Sequence, residues 1–492
     1  MRAATLYPTA ILAGLLASGQ ALAQSTIVLT TTSGHPNATV RFNGGSFGDG
    51  EAVDIYVDTA DTLLLVSSST GTFSGSVSLP KTTQPGPHYI TAVGRRSGDA
   101  AQAVFTVTTP WNELGFGAAH YSWNPWENTL DVGTVQSLGP LFAIPTGAIY
   151  GSPSVSKGSI YVGSQSGNGV ESLSTTSASV NWKAETASTF DTSPAVSLNA
   201  VYIGSEQGMM YSLNATSGAQ NWATAGGADF ESSPVVSGNL VYVGCDDDKL
   251  YAIETTSLAH MTGGKILWTY ATGGPVISSP AIYNNTVYFG SGDEKLYAVS
   301  TSGALVWTYS TGGSIVSSPT VAVGLVFIGS RDGKLYAIKA DTGKLAWSST
   351  TGGDIESSPA VAYGLVYVGS NDGNLYAYNA HTGALQWSVN TGAAFDYASP
   401  SVADGVVYAA SSEGTLYAIQ ATTGAVLWTF ATSSAGYTNP AISDGSVFFN
   451  SGNGDTYVFD SSAGTNALHR PAHAPAISTL RPDLTLRVTE SP

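Results

Sequence analysis

The hydrophobic positions of this chain recur in short alternating runs, not at helical spacing. In one stretch Ala360-Val361 is followed by Leu365-Val366-Tyr367-Val368, by Leu375-Tyr376-Ala377-Tyr378 and then by Trp387, with Gly, Asn or Asp between the runs. Such runs predict β-strands. Asn371-Asp372-Gly373 and Arg331-Asp332-Gly333 predict hairpin turns, because glycine accepts the positive φ these turns need. The same order of pieces repeats along the chain. Each copy is headed by a small residue and a proline: Ser152-Pro153, Ser193-Pro194, Ser233-Pro234, Ser279-Pro280, Ser318-Pro319, Ser358-Pro359, Ser399-Pro400 and Asn439-Pro440. The steps between prolines are 41, 40, 46, 39, 40, 41 and 40 residues. A period near 40 residues fits one four-stranded blade, so the pattern predicts an all-β fold with an eight-bladed β-propeller over residues 139–464. The long step places an insertion at Ala259-His260-Met261-Thr262, expected as a surface loop.

Tryptophan repeats in register. Trp182, Trp222, Trp268, Trp307, Trp347, Trp387 and Trp428 each precede the next repeat proline by 12 or 13 residues. A flat side chain at one fixed position suits a wedge between adjacent blades. The eighth unit lacks its Trp after Gly464, whereas Phe142 lies 11 residues before Pro153. The strand carrying Phe142 is therefore expected to complete the last blade, which removes an exposed edge.

The pattern SSPAV…VYVGS.DG.LYA…TG…W resembles the repeat of pyrroloquinoline-quinone-type propellers. That family includes the quinoprotein dehydrogenases and the propeller subunit of the outer-membrane β-barrel assembly machinery. Trp111, Gly115, Asn124-Pro125, Glu127-Asn128, Val135 and Leu138 resemble the lead-in to the first blade of quinoprotein-like proteins. For a dehydrogenase the resemblance implies pyrroloquinoline quinone and calcium, held by a catalytic Asp, a Glu/Asn/Asp set and groups stacked on the quinone. No stretch of this chain carries that set residue by residue. A vicinal disulfide, found in the alcohol dehydrogenases, needs two cysteines, and the chain has one.

Outside the repeats the pattern changes. Residues 24–110 hold strand-like runs such as Ala38-Thr39-Val40-Arg41-Phe42 and Ala52-Val53-Asp54-Ile55-Tyr56-Val57, with Asn43-Gly44-Gly45 and Gly48-Asp49-Gly50 expected as turns. They predict a small β-sandwich. Gly45-Ser46-Phe47, Gly50-Glu51 and Gly86-Pro87-His88-Tyr89 resemble immunoglobulin-like modules of exported bacterial proteins. Residues 111–138 form a linker with Trp111, Tyr121, Trp123 and Trp126, expected to dock on the propeller. Residues 465–492 are expected as a flexible tail. Residues 1–23, with Arg2, an apolar run and Ala21-Leu22-Ala23, read as a secretory signal peptide. Export to the periplasm or the extracellular space follows, with no membrane-spanning segment and a monomeric chain.

Composition narrows the chemistry. A formal net charge of −17 repels phosphate backbones and argues against nucleic acid. Cys245 falls where sister repeats carry Ser205, Ser291, Ser330 and Ser370, which predicts a small buried residue. Only His260 and His381 of the seven His lie in the repeats, so neither a zinc cluster nor a Ser/His/Asp triad is indicated. Asp246-Asp247-Asp248 occupies a hairpin position and is expected to serve the turn instead of calcium.

One constellation remains. Asp191, Glu231, Glu356 and Asp396 lie just before the repeat prolines, where the other units have Tyr150, Ile277, Val316 and Tyr437. In a ring of eight these acids form two facing pairs at a channel mouth, where they would attract a cation or a basic ligand. The expected function is an exported, non-enzymatic binding or scaffold protein that docks a protein, peptide or glycan. The alternative is a pyrroloquinoline-quinone-dependent alcohol or sugar dehydrogenase.

Overall fold

Alternation of period two becomes strand along the whole chain. The computed structural model describes residues 24–462 apart from 148, 166–168, 256–262, 433 and 435–437, and among them the helical element is a 3-10 turn at Val135–Ser137. Residues 1–23, expected as a leader, residues 465–492, expected as a tail, the expected surface loop at Ala259-His260-Met261-Thr262 and Tyr437 lie outside the described residues.

Between Gly139 and Asp460 the strands form eight sheets. The first is a meander of Ser154–Ser156, Ser159–Ser164, Gly169–Ser174 and Val180–Glu185, and the next six repeat that order, the sixth of them with Trp123–Asn124 added parallel to its inner strand Ser401–Ala403. The last takes three strands from Ala441–Ser443, Ser446–Asn450 and Asp455–Asp460. Its fourth is Gly139–Pro145, antiparallel to the third, with Phe142 opposite Val458. The two ends of the repeat region are thereby joined in one sheet, as a propeller requires.

The small residue before each proline has a definite task. The backbone N–H of Ser152 donates to Ser193 Oγ at 2.8 Å. The same bond passes from Ser193 to Ser233, then to Ser279, Ser318, Ser358 and Ser399, at 2.8–2.9 Å. Ser399 N–H donates to Asn439 Oδ1 at 2.7 Å, and Asn439 N–H returns to Ser152 Oγ at 2.8 Å. This closed circuit satisfies backbone donors that would otherwise be stranded where the inner strands crowd together.

Farther out, tryptophan ties neighbouring sheets. Trp182 Nε1–H donates to Ala215 O of the next sheet at 2.9 Å, and Trp222, Trp268, Trp307, Trp347 and Trp387 repeat the bond one sheet on. Gly383, at φ +71°, lies so close over Trp347 that an added Cβ would stand 2.6 Å from its Cε3. Both the turn and the approach demand glycine there. Trp428 reaches Leu138 O at 2.9 Å instead, at the start of the closing strand.

Ahead of the ring, a three-stranded and a five-stranded sheet built from Thr26 to Val107 share a core that includes Val40, Phe42, Val53, Ile55, Ile90 and Phe105. Asn43-Gly44-Gly45, expected as a turn, lies inside the strand Thr39–Gly45. The Phe73 ring occupies the place of a Gly44 Cβ, so this glycine serves packing between strands rather than chain reversal.

Candidate functional site

Each inner strand is the edge of its sheet and would present an unpaired N–H to the axis. The linker supplies the partners. Trp111 pairs with Val155 of the first sheet in both directions. The Val196 N–H then donates to Asn112 O at 2.8 Å, and that of Val236 to Glu113 Oε2 at 3.3 Å. Ile282 donates to Ala118 O, Val321 to Ala119 O, Val361 to Tyr121 O and Val402 to Ser122 O, at 2.5–3.0 Å. Asn124 Nδ2 ends the series on Ile442 O at 2.9 Å. Residues 111–124 therefore travel once around the ring, visiting the eight inner strands in chain order.

Trp111 and Trp123 serve this docking, whereas Trp126 faces the N-terminal sheets. Trp111 is buried, Trp123 packs on Tyr363 with ring centroids 5.5 Å apart, and Trp126 stacks on His35 of the N-terminal sandwich at 4.0 Å. Three ionisable groups of the linker are buried, Glu113, His120 and Glu127, and burial raises the carboxyl of Glu127. Burial pushes Glu113 up to about 7 and His120 down to about 4.

At the opposite end of the inner strands lies a cavity of about 560 Å³, lined by residues of all eight sheets and by Leu114 of the linker. It is therefore on the ring axis, and the linker closes one side of it. Asp191, Glu231, Glu356 and Asp396 all line this cavity, as do Tyr150, Ile277 and Val316 at the equivalent positions.

The four acids are not alike. Glu356 Oε1 accepts from Arg331 Nε at 2.6 Å, so its charge is compensated. Among the described residues Asp191, Glu231 and Asp396 have no such cationic partner. Asp191 is pushed up to about 7, first by burial and then by the adjacent carboxylate of Glu206. Glu206 moves the other way, because Asp191, Thr189 and Gln165 all hydrogen-bond to it. Glu231 is raised by burial and then by Asp246, Asp229 and Glu206. Asp396 is raised by burial and then by Glu356. Negative charge is thus concentrated on the second and third sheets, with a weaker patch at Asp396.

Sequence reasoning did not single out Glu206 and read Asp246 and Arg331 only as hairpin residues, yet these three decide this asymmetry. Each stands twelve residues after its repeat proline, at the hairpin position that Asn371 fills elsewhere. That constant offset, set beside the offset of the four acids, was the available signal. In the Asp246-Asp247-Asp248 run, Asp247 Oδ2 accepts from Tyr251 Oη at 2.7 Å and Lys249 Nζ at 2.6 Å. Asp293, Asp332 and Asp372 repeat the tyrosine bond, which is a turn role. Cys245 is fully buried, and burial pushes its thiol up to about 11, far from the reactive range.

Pyrroloquinoline quinone is a polycarboxylate, and the axial cavity has no Lys, Arg or His in its lining. Carboxylates facing a carboxylate cofactor repel it. Among the described residues no three His, Cys, Asp or Glu side chains group as ligands for a metal ion. The residues lining this cavity do not fit the quinone.

The sequence family described as outer membrane protein assembly factor BamB matches residues 143–224, 212–323, 298–398 and 393–488. No curated protein matches the chain. Among solved structures, BamB from Moraxella catarrhalis superposes with a TM-score of 0.57 at 20% identity, covering 66% of this chain and 99% of that one. A europium-containing methanol dehydrogenase gives 0.61 at 15% identity, covering 71% and 89%. The quinohemoprotein alcohol dehydrogenase of Comamonas testosteroni gives 0.62 at 14%, covering 74% and 82%. Likeness at such identity carries the β-propeller fold alone. By the four repeat matches, which span more than half of its length, the chain belongs to the PQQ-repeat family described as outer membrane protein assembly factor BamB.

Proposed function

We propose that the chain is an exported, non-enzymatic binding or scaffold protein. In this reading residues 24–110 are an immunoglobulin-like module, and residues 139–464 are an eight-bladed propeller whose axial cavity docks a basic segment of a protein partner. The observation that carries the reading is the set of three carboxylates, Asp191, Glu231 and Asp396, that line one cavity without a cationic partner among the described residues. A low-dielectric cup lined by one sign of charge focuses its field on an incoming cation. Tyr397, half-exposed on the same wall, adds an aromatic face for an ammonium or guanidinium group. The family description, an assembly factor, agrees with a protein ligand.

The competing oxidoreductase reading is tested by dialysing the protein against pyrroloquinoline quinone with Ca²⁺, then recording bound-quinone absorbance and dye reduction with alcohols or sugars. Neither signal is expected. A stoichiometric quinone complex that reduces dye would overturn the reading.

A further inference from the structure

The backbone locks each crossover onto the hairpin of its own sheet. Glu206 N–H donates to Thr189 O at 3.1 Å, Asp246 N–H to Asp229 O at 3.0 Å, and Asn371 N–H to Asp354 O at 2.9 Å. In each case the donor stands twelve residues after a repeat proline and the acceptor five residues before it. The acid three residues before the proline therefore meets two hairpins, its own and that of the preceding sheet. Glu356 shows the pattern. Arg331 of the preceding hairpin donates to its Oε1 at 2.6 Å, and Asn371 of its own hairpin to Oε2 at 3.5 Å.

On the second and third sheets the same places hold acids. Asp191 meets Glu206 of its own hairpin and Gln165 of the preceding one, and Glu231 meets Asp246 and Glu206 in the same way. Asp191, Glu206, Glu231 and Asp246 thus form one row of carboxyl groups along the wall of the axial cavity. The row cannot spread, because Glu206 also accepts from Thr189 Oγ1 at 2.6 Å and Gln165 Nε2 at 2.7 Å. Asp229 adds charge beside Glu231 and Asp246, and Asp248 beside Asp246, whereas Asp247 is engaged by Lys249 at 2.6 Å. Among the described residues no Lys, Arg or His pairs with any of the four. Fixed carboxyl groups without a counter-ion hold a proton more tightly than isolated ones. Burial and Glu206 accordingly push Asp191 up to about 7.

We propose that the axial cavity takes its basic ligand in exchange for a proton. The empty cavity keeps a proton on the wall formed by Asp191, Glu206 and Glu231. An arriving ammonium or guanidinium group supplies the missing counter-charge, and the proton leaves to solvent. The inference rests on the docking of a basic segment proposed above and adds its control: the ligand is held above neutral pH and released as pH falls. Glu356, already paired with Arg331, takes no part in the exchange.

The test is calorimetric titration with N-acetyl-tetralysine amide, whose ammonium groups stay protonated near neutral pH. Titrations at pH 7 in MOPS and in Tris, buffers of different ionisation enthalpy, count the protons released. About half a proton or more leaves per peptide bound, and affinity rises about three- to tenfold between pH 6 and pH 8. Glu206→Gln, which keeps the acceptor for Thr189 and Gln165 but removes the charge beside Asp191, reduces the release at pH 7 and moves the pH dependence to lower pH. Melting temperature verifies that the variant is folded. Saturable binding with no proton release, or the same release in folded Glu206→Gln, overturns the exchange and leaves the docking function standing. Absence of binding at every pH overturns both.

Discussion

The backbone N–H of Asn439 donates to Ser152 Oγ at 2.8 Å across 287 residues of chain. This bond is the last link of a circuit whose other seven members join neighbouring repeats. It connects the two ends of the ring at its narrowest point, while Gly139–Pro145 joins them farther out.

Replacing Ser152 with Ala leaves Asn439 N–H without its acceptor and should cost about 1–3 kcal/mol, the usual penalty for a buried donor left unpaired. Ser152→Thr keeps the acceptor and should lose less. Urea denaturation of the two variants checks the order, and equal stability of Ser152→Ala and wild type would remove the circuit from the account.

Trp428 is the one repeat tryptophan described here whose indole N–H reaches the segment before the first repeat, at Leu138 O. Trp428→Phe keeps the ring packing and deletes that bond. The expected loss is about 0.5–1.5 kcal/mol, with faster proteolysis near Leu138 than in Trp307→Phe, whose bond lies between consecutive repeats.

Glu113 makes stability depend on pH. Its carboxyl is raised from 4.5 to about 7 by burial, so its contribution is full below pH 4.5 and is lost as pH rises through 7. Glu113→Gln keeps an acceptor for Val236 N–H and cannot ionise. It should match wild type in acid and exceed it at pH 8 by about 1–3 kcal/mol. His120 acts in the opposite direction: lowered from 6.5 to about 4 by burial, it contributes above pH 6.5, and that contribution is lost as pH falls through 4. Melting curves across this range separate the two slopes.

Asp191 follows the sign of Glu113. Raised from 3.8 to about 7 by burial and by Glu206, it loses its contribution as pH rises through 7. Asp191→Asn should flatten this part of the pH profile, and Glu206→Gln should lower the Asp191 pKa by removing a neighbouring charge. NMR titration of the carboxyl carbons reads both. An Asp191 pKa unchanged by Glu206→Gln would mean that the two carboxyl groups do not interact.

The repeat was legible because its signals lie in side chains: proline at the head, glycine in the turns and tryptophan at the wedge. Phe142 likewise announced the closing strand by standing where a tryptophan was missing. The path of the linker was not legible, since Asn112, Ala118, Ala119, Tyr121 and Ser122 engage the ring through backbone carbonyls that any residue carries. Gly44 misled for a related reason. A glycine needed for the approach of Phe73 has the same letter as one needed for a turn. At the cavity, the four acids stood out by position, but burial and, for Asp191, Glu231 and Glu356, the hairpin residues Glu206, Asp246 and Arg331 decide how they are charged. Residue spacing within one strand does not reveal which hairpin it faces.

The most direct test of the binding account is calorimetric titration of tetralysine at low ionic strength into the wild type and the Asp191→Asn/Glu231→Gln double variant. The account predicts saturable one-to-one binding that weakens with salt and falls by about tenfold or more in the variant. No saturable binding to the wild type, or the same affinity in both proteins, would contradict it.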